Sequence, residues 1–345
     1  MYKRQVHYIA AAPWLAQLFN KAAKKTDIGR AIRSLLGDFH KTAHELTGEY
    51  GEWESNIQCV QDADGEKKWK ALDGSVFFDA SLENENLWEN PNAALEVLRK
   101  LRALRTKAEL EPVSPFYAVL LMDGDELGIH MSDANKQAEI TKGLANFTKN
   151  VPHIVQDNNG FLIYAGGDDV LALLPLENAF GCAAALRHHY LRCFDLKLIP
   201  TSLSGAIEFA HVKMPLGKVL RDAHDLLDNL AKDGRGRDAI ACRVWKPGGM
   251  TLEWAMPWQC ALNDNSVIVE QLAQEFQPPT PTIAQPSATP LFSSKFFFKI
   301  RERFELLNPG ERVFIADQTT MSATQTPPLT EAQAIALMSL SLIHI

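Results

Sequence analysis

An α+β fold with a βαββαβ core follows from three features of this sequence. Apolar runs at Tyr117–Met122, Phe161–Ala165 and Val170–Leu174 have the length and composition of strands. The second and third flank Gly166-Gly167-Asp168-Asp169, a tight-turn signature that pairs them as a hairpin. Helical patterns at about 133–149, 176–194 and 216–231 separate these runs from further strands at 201–210 and 237–245. The first six of these elements read β-α-β-β-α-β, the ferredoxin-like order. That topology sets the first strand beside the central hairpin in one antiparallel sheet.

The flanks are mostly helical in pattern. Residues 6–12 (Val-His-Tyr-Ile-Ala-Ala-Ala) read as a strand, and 14–48 as helix through Leu15, Leu18, Phe19, Ile28, Ile32, Leu35 and Leu36. Residues 51–66 read as loop, and 83–110 as a helix with Ala94, Leu95, Leu98, Leu101 and Leu104 on one face. Glu111-Pro-Val-Ser-Pro115 breaks the chain before the first core strand. In 216–231 the stripe is Val219, Leu220, Ala223, Leu226, Leu227 and Leu230. Beyond Lys246-Pro-Gly-Gly249 come Trp254, Trp258 and a short helix near 265–276. A Pro/Thr-rich linker follows at 277–290, then a basic helix at 293–307 and a last helix from Thr330. The expected domains are 1–112, a strand with a helical segment; 113–250, the βαββαβ palm; 251–276, a connection; 277–290, the linker; and 291–345, a truncated helical domain. The opening strand and the abrupt last helix point to a fragment.

Composition narrows the class. With 46% hydrophobic and 22% charged residues, the chain is ordinary for a globular protein. No apolar run reaches membrane-spanning length and no secretory pattern opens the chain, so the expected location is cytoplasmic, with no membrane partner. A net charge of −7 argues against a protein that wraps nucleic acid unaided, though not against a subunit that meets RNA inside an assembly. The five cysteines form no C-x-x-C pair, which disfavours a zinc ribbon and fits buried reduced thiols.

The chemistry concentrates in two acidic motifs 45 residues apart, Asp123-Gly124-Asp125 and Gly166-Gly167-Asp168-Asp169. Carboxylates at strand ends and in a tight hairpin serve core packing poorly. They suit hard divalent cations, and four so arranged suggest a two-metal phosphoryl-transfer centre with Asp123, Gly124, Asp125, Asp168 and Asp169 around the ions. Gly166 and Gly167 fit a positive-φ turn and could also let phosphates approach the main chain. Lys232-Asp-Gly-Arg-Gly-Arg237 reads either as a Gly-terminated helix end or as a triphosphate clamp using Lys232 with Arg235 or Arg237. Ser204-Gly205 could admit a base or ribose, or be simple packing. His40 with His44, His188 with His189, and His224-Asp225 read as solvated positions; Trp14, Trp53, Trp69 and Trp88 read as core or interface.

At these motifs the chain resembles the large subunit of type III CRISPR effector complexes, of the Cmr-type (III-B) branch, whose palm is related to GGDEF cyclases. The resemblance is carried by Tyr117-Ala-Val-Leu-Leu-Met-Asp-Gly-Asp-Glu-Leu-Gly128, by Gly166-Gly-Asp-Asp169, by Ser204–Leu216 and by Ala231–Ala239, in that order, and covers about 115–250 best. It implies a palm that polymerises ATP into cyclic oligoadenylate with two Mg²⁺ (or Mn²⁺) ions when target RNA is bound. Asp123, Asp168 and Asp169 would be the catalytic metal ligands, with Asp125 a companion. Gly166, Gly167, Ser204, Lys232 and Arg235 would contact nucleotide. Partners implied are the other subunits, the guide RNA and the target RNA. The family's HD nuclease, first palm and zinc segment are not identifiable in full, and the resemblance implies that residues 1–112 hold the end of the preceding palm-like domain. Two other functions fit the same residues: a non-catalytic scaffold in the complex, and a stand-alone GGDEF-like dinucleotide cyclase, against which the missing Glu-Phe ending speaks.

Overall fold

The computed structural model describes residues 2–48, 69, 72–245, 251–263 and 266–275. The chain divides into two compact units, Met1–Val267 and Ile268–Ile345.

The first unit opens with helices. α1 spans Tyr2–Ala23, which corrects the expected strand at 6–12. Val6, Tyr8, Ile9, Ala10, Ala11 and Ala12 are all buried. A helix enclosed on every side shows no 3.6-residue stripe, so a short apolar run reads equally well as a strand. Pro13, which lies inside the helix, adds to the false signal of a break. α2 (Asp27–Thr47) starts where the Thr26 hydroxyl accepts from the Gly29 amide, and it buries Gly29, Ile32, Leu36, Phe39 and Ala43. His40 is no free surface group, because its ring stands edge-on to Trp69 at 4.7 Å.

α3 (Pro91–Ala108) begins at Pro91, with Asn90 as cap, and not at 83. Residues 83–90 instead form turns, one of them the 3-10 turn Glu85–Leu87. Its buried face is Ala94, Val97, Leu98, Leu101, Leu104 and Ala108. Leu95, assigned to that face from the sequence, is 48% exposed.

The core follows the predicted order. β1 (Phe116–Asp125), α4 (Leu127–Met131), α5 (Gln137–Asp157), β2 (Phe161–Gly166), β3 (Asp169–Leu174), α6 (Ala179–Arg192) and β4 (Ser202–His211) complete the βαββαβ set. α7 (Leu216–Asp225) runs into a π-helical segment, Leu226–Asp233, before β5 (Ala239–Trp245) and β6 (Thr251–Pro257). The sheet order is β2-β3-β1-β4-β5-β6. β1 pairs antiparallel with both β3 and β4, and β4 with β5 is the parallel pair. The sequence reading stops this sheet at β5; β6 adds an antiparallel edge in register Cys242↔Trp254.

β1 is buried on both faces, which is why its sequence is a continuous apolar run and not an alternation. Tyr117, Val119, Leu173 and Ala210 share one core with α1 to α3 and with Val219 and Ala223 of α7. On the same face Leu121 and Ala206 pack under Leu226, Leu227 and Ala231 of the π-helical segment. The opposite face carries α5 and α6, whose Phe147 and Tyr190 rings meet edge to face at 5.0 Å. Two residues each of β7 (Leu262–Asn263) and β8 (Ser266–Val267) close the first unit. Of the second unit the structure describes α8 (Ile268–Glu275); the expected linker at 277–290 and the helices after it lie outside the described residues. No helix among the described residues is long and apolar enough to cross a membrane.

Candidate metal centre

Strand register builds the site. β1 ends in Asp123-Gly124-Asp125, and the β2–β3 turn presents Asp168 and Asp169 next to it, because Met122 pairs with Val170. Oxygens of Asp123, Asp168 and Asp169 lie within 4.8 Å of one another, the one group of three such ligands found among the described residues. That spacing of hard oxygen donors fits a divalent cation of the magnesium or manganese type. Asp168 is the strained member. Burial raises its carboxyl above the ordinary range, and the charges of Asp169 and Asp125 push the same way.

The glycines explain how the turn comes so close. A side chain at Gly124 would place its first carbon 2.5 Å from an Asp168 oxygen and 2.7 Å from the Tyr190 hydroxyl. Asp168 therefore reaches the site only across a bare strand. Gly167 sits at φ 64° and closes the turn, and the Thr148 hydroxyl of α5 donates to its carbonyl at 3.1 Å. Space above Gly166 is filled by the ring of Tyr164, whose hydroxyl lies where a Cβ would be. A side chain at 166 would thus meet the Tyr164 ring.

Lys232 reaches the cluster from the end of the π-helical segment, its ammonium donating to the Asp123 carboxylate. Burial and the nearby Arg237 lower the Lys232 ammonium from its usual value, while Asp233 opposes them. A single ammonium thus offsets part of the charge of three gathered acids.

The remaining sequence-derived positions lie apart from this group. Asp125 is buried and accepts from the Ser202 hydroxyl at 2.6 Å and the Ser204 hydroxyl at 2.9 Å. Ser204 is fully buried, so its hydroxyl serves Asp125 and does not face a ligand space. Arg235 is turned outward and donates from Nε to the Ala255 carbonyl at 3.0 Å. Sequence reading missed Tyr190, Thr148, Arg187 and Ser202. Only the Ser-x-Ser spacing at 202 and 204 offered a signal, since alternate residues of a strand share a face.

A ferredoxin-like sheet with acids on the first strand end and in the facing glycine hairpin defines a palm domain. The family model described as Cas10/Cmr2, second palm domain, matches residues 116–241. Residues 116–241 are thus similar to the second palm domain of Cas10/Cmr2. The chain is 34% identical over 175 residues to the CRISPR system Cmr subunit Cmr2 of Pyrococcus furiosus, covering 42% of this chain and 20% of that relative. It spans far less than the length of that relative. Among solved structures, it is similar to a chain of the type III-B Cmr-beta complex bound to cognate target RNA, at 12% identity and TM-score 0.49, over 89% of this chain and 40% of that one. A chain of a Csm1–Csm4 cassette in complex with cA4 aligns at 20% identity and TM-score 0.38, over 57% of this chain and 30% of that one.

Proposed function

We propose that this chain supplies the nucleotide-polymerising palm of a type III-B CRISPR effector complex, joining ATP into cyclic oligoadenylate when the complex holds target RNA. One observation carries the reading: within a Cas10/Cmr2-type second palm, the oxygens of Asp123, Asp168 and Asp169 converge within 4.8 Å, with Lys232 against Asp123. A palm kept only as scaffold has no need to gather three carboxylates at such electrostatic cost.

In this reading Asp123, Asp168 and Asp169 hold two magnesium or manganese ions. Bound there, the ions supply the Lewis-acid charge that activates a ribose hydroxyl and stabilises a leaving pyrophosphate. Lys232 exchanges its contact with Asp123 for the triphosphate as a point charge. The bare strand at Gly124 and the left-handed turn at Gly167 keep Asp168 within reach. With a net charge of −7, the chain meets guide and target RNA through the other subunits of the complex and not by a basic surface of its own.

The test is direct. The assembled complex, given ATP, Mg²⁺ and target RNA, should form cyclic oligoadenylate, and should form none when Mg²⁺ is chelated. Assembly with no nucleotide product would mark the palm as a scaffold. Cyclic dinucleotide made from GTP without any RNA would point instead to a stand-alone cyclase.

A further inference from the structure

We infer that Asp125 is a positioning residue: its carboxylate grips the turn after the π-helical segment and thereby sets where Lys232 meets the acid triad and an incoming phosphate. This deepens the proposed function and rests on it. Asp123 and Asp125 sit two residues apart on one strand, yet their surroundings differ. Asp123 faces the other triad acids. Asp125 is 2% exposed, and its oxygens are already committed. Oδ2 accepts from Ser202 Oγ at 2.6 Å, Ser204 Oγ at 2.9 Å and the Asp238 amide at 3.1 Å; Oδ1 accepts from Ser204 Oγ at 3.0 Å. A carboxylate has roughly four acceptor positions. Three donors hold this one in place, the two serine hydroxyls and the Asp238 amide, with the single Ser204 proton shared between its two oxygens.

Asp238 is the other end of the grip. Its carboxylate takes a two-pronged pair from Arg187 of α6, at 2.8 Å for each nitrogen, and its carbonyl accepts from the Trp258 amide at 2.8 Å. The turn so held carries an unusual backbone. Gly236, Arg237 and Asp238 lie at φ 79°, 70° and 43°, three successive left-handed residues of which two carry side chains. The turn closes on Lys232, whose carbonyl accepts from the Gly236 amide at 2.9 Å and the Arg237 amide at 3.1 Å. A continuous path therefore runs from the Asp125 carboxylate through the Asp238 amide and the strained turn to Lys232, and from its ammonium back to Asp123. Strand β1 supplies one acid to the triad and another to the turn that follows Lys232.

The test uses the assembled complex with ATP, Mg²⁺ and target RNA, comparing wild type with Asp125→Asn, Lys232→Ala and the double variant. Asp125→Asn should raise KM for ATP roughly tenfold, the size of one charge-assisted hydrogen bond, with an unchanged Mg²⁺ midpoint. In the Lys232→Ala background it should add almost nothing, because the two act in series. A Mg²⁺ midpoint displaced as in Asp169→Asn, or effects that multiply independently, would overturn the inference. Acylation of Lys232 by an amine-reactive ester, read by mass spectrometry, needs no turnover. It should rise several-fold in Asp125→Asn and in the milder Ser204→Ala, while other lysines stay constant. Unchanged Lys232 labelling in a folded variant would reject the positioning role even if the complex made product, whereas a wild-type complex that makes none rejects the proposed function alone.

Discussion

Asp168→Asn combined with Asp169→Asn should abolish nucleotide polymerisation, a loss of roughly a thousandfold or more, since bound metals contribute several kcal/mol to such transition states. The folded protein should not suffer for it. Carboxylates gathered within 4.8 Å repel one another, and each such pair costs on the order of 1 kcal/mol once water screens it. Removing two charges relieves that repulsion, and it also spares Asp168 the burial that already disfavours its ionised form. The apo double variant should therefore melt at the wild-type temperature or slightly above it, and should enter the complex normally. Normal product from this variant would place the chemistry elsewhere; a large fall in Tm would mean that the acids hold the fold. Acidification should mimic the variant. With its pKa raised, Asp168 takes up a proton earlier than an ordinary aspartate as the pH falls, so the apparent metal affinity should weaken sooner than at an unperturbed site.

The second large effect lies away from the metal centre. Glu208 of β4 is fully buried, and neither of its oxygens has a hydrogen-bond partner. The nearest cation, Arg243 of β5, stands at 4.0 Å and is shared with Glu253 of β6 at 2.9 Å. The buried hydroxyl of Tyr117 on β1 is likewise unsatisfied, and Asp222 of α7 adds a like charge. Burial pushes the Glu208 carboxyl up to about 8 from its ordinary 4.5; Arg243 opposes this, and Asp222 and Glu253 reinforce it. In the unfolded chain the group ionises at the ordinary value, so between the two values the folded state binds more protons. Its contribution to stability is complete below about 4.5 and is lost as the pH rises to about 8. The total is on the order of a few kcal/mol, with a slope of at most ~1.4 kcal/mol per pH unit. Thermal unfolding of wild type should show this decline between pH 5 and 8. Glu208→Gln, which keeps the shape without the charge, should flatten it and be the more stable protein at pH 8. Parallel curves for the two proteins would show that Glu208 ionises freely in the fold.

The sheet and hairpin were legible because their strands are short apolar runs punctuated by Gly-Gly-Asp-Asp, and the acid triad was legible because strand ends and turns are where carboxylates can share an ion. The errors have a common cause, which is that sequence shows residue type but not surroundings. Apart from His7, Val6–Ala12 is apolar all round because this stretch of α1 is buried, so no period betrays the helix. Leu95 fits the stripe of α3 by spacing and yet faces outward. An Asp-x-Asp gives two acids on one strand face, and nothing in it tells a metal ligand from a strut. The hydrogen-bond partners of Asp125, which are Ser202, Ser204 and the Asp238 amide, arrive from segments 77 to 113 residues away. The π-helical segment that brings Lys232 to Asp123 follows from no local pattern either, since the stripe through Leu226, Leu227 and Leu230 reads as ordinary α-helix.

Manganese can report on the centre without any turnover. Crystals of the protein soaked with Mn²⁺ and a non-hydrolysable ATP analogue should show anomalous scattering peaks flanked by the carboxylates of Asp123, Asp168 and Asp169, with Asp125 still bonded to its two serines. Absence of any peak there at saturating Mn²⁺, or a manganese ion seated on Asp125 instead, would contradict the account.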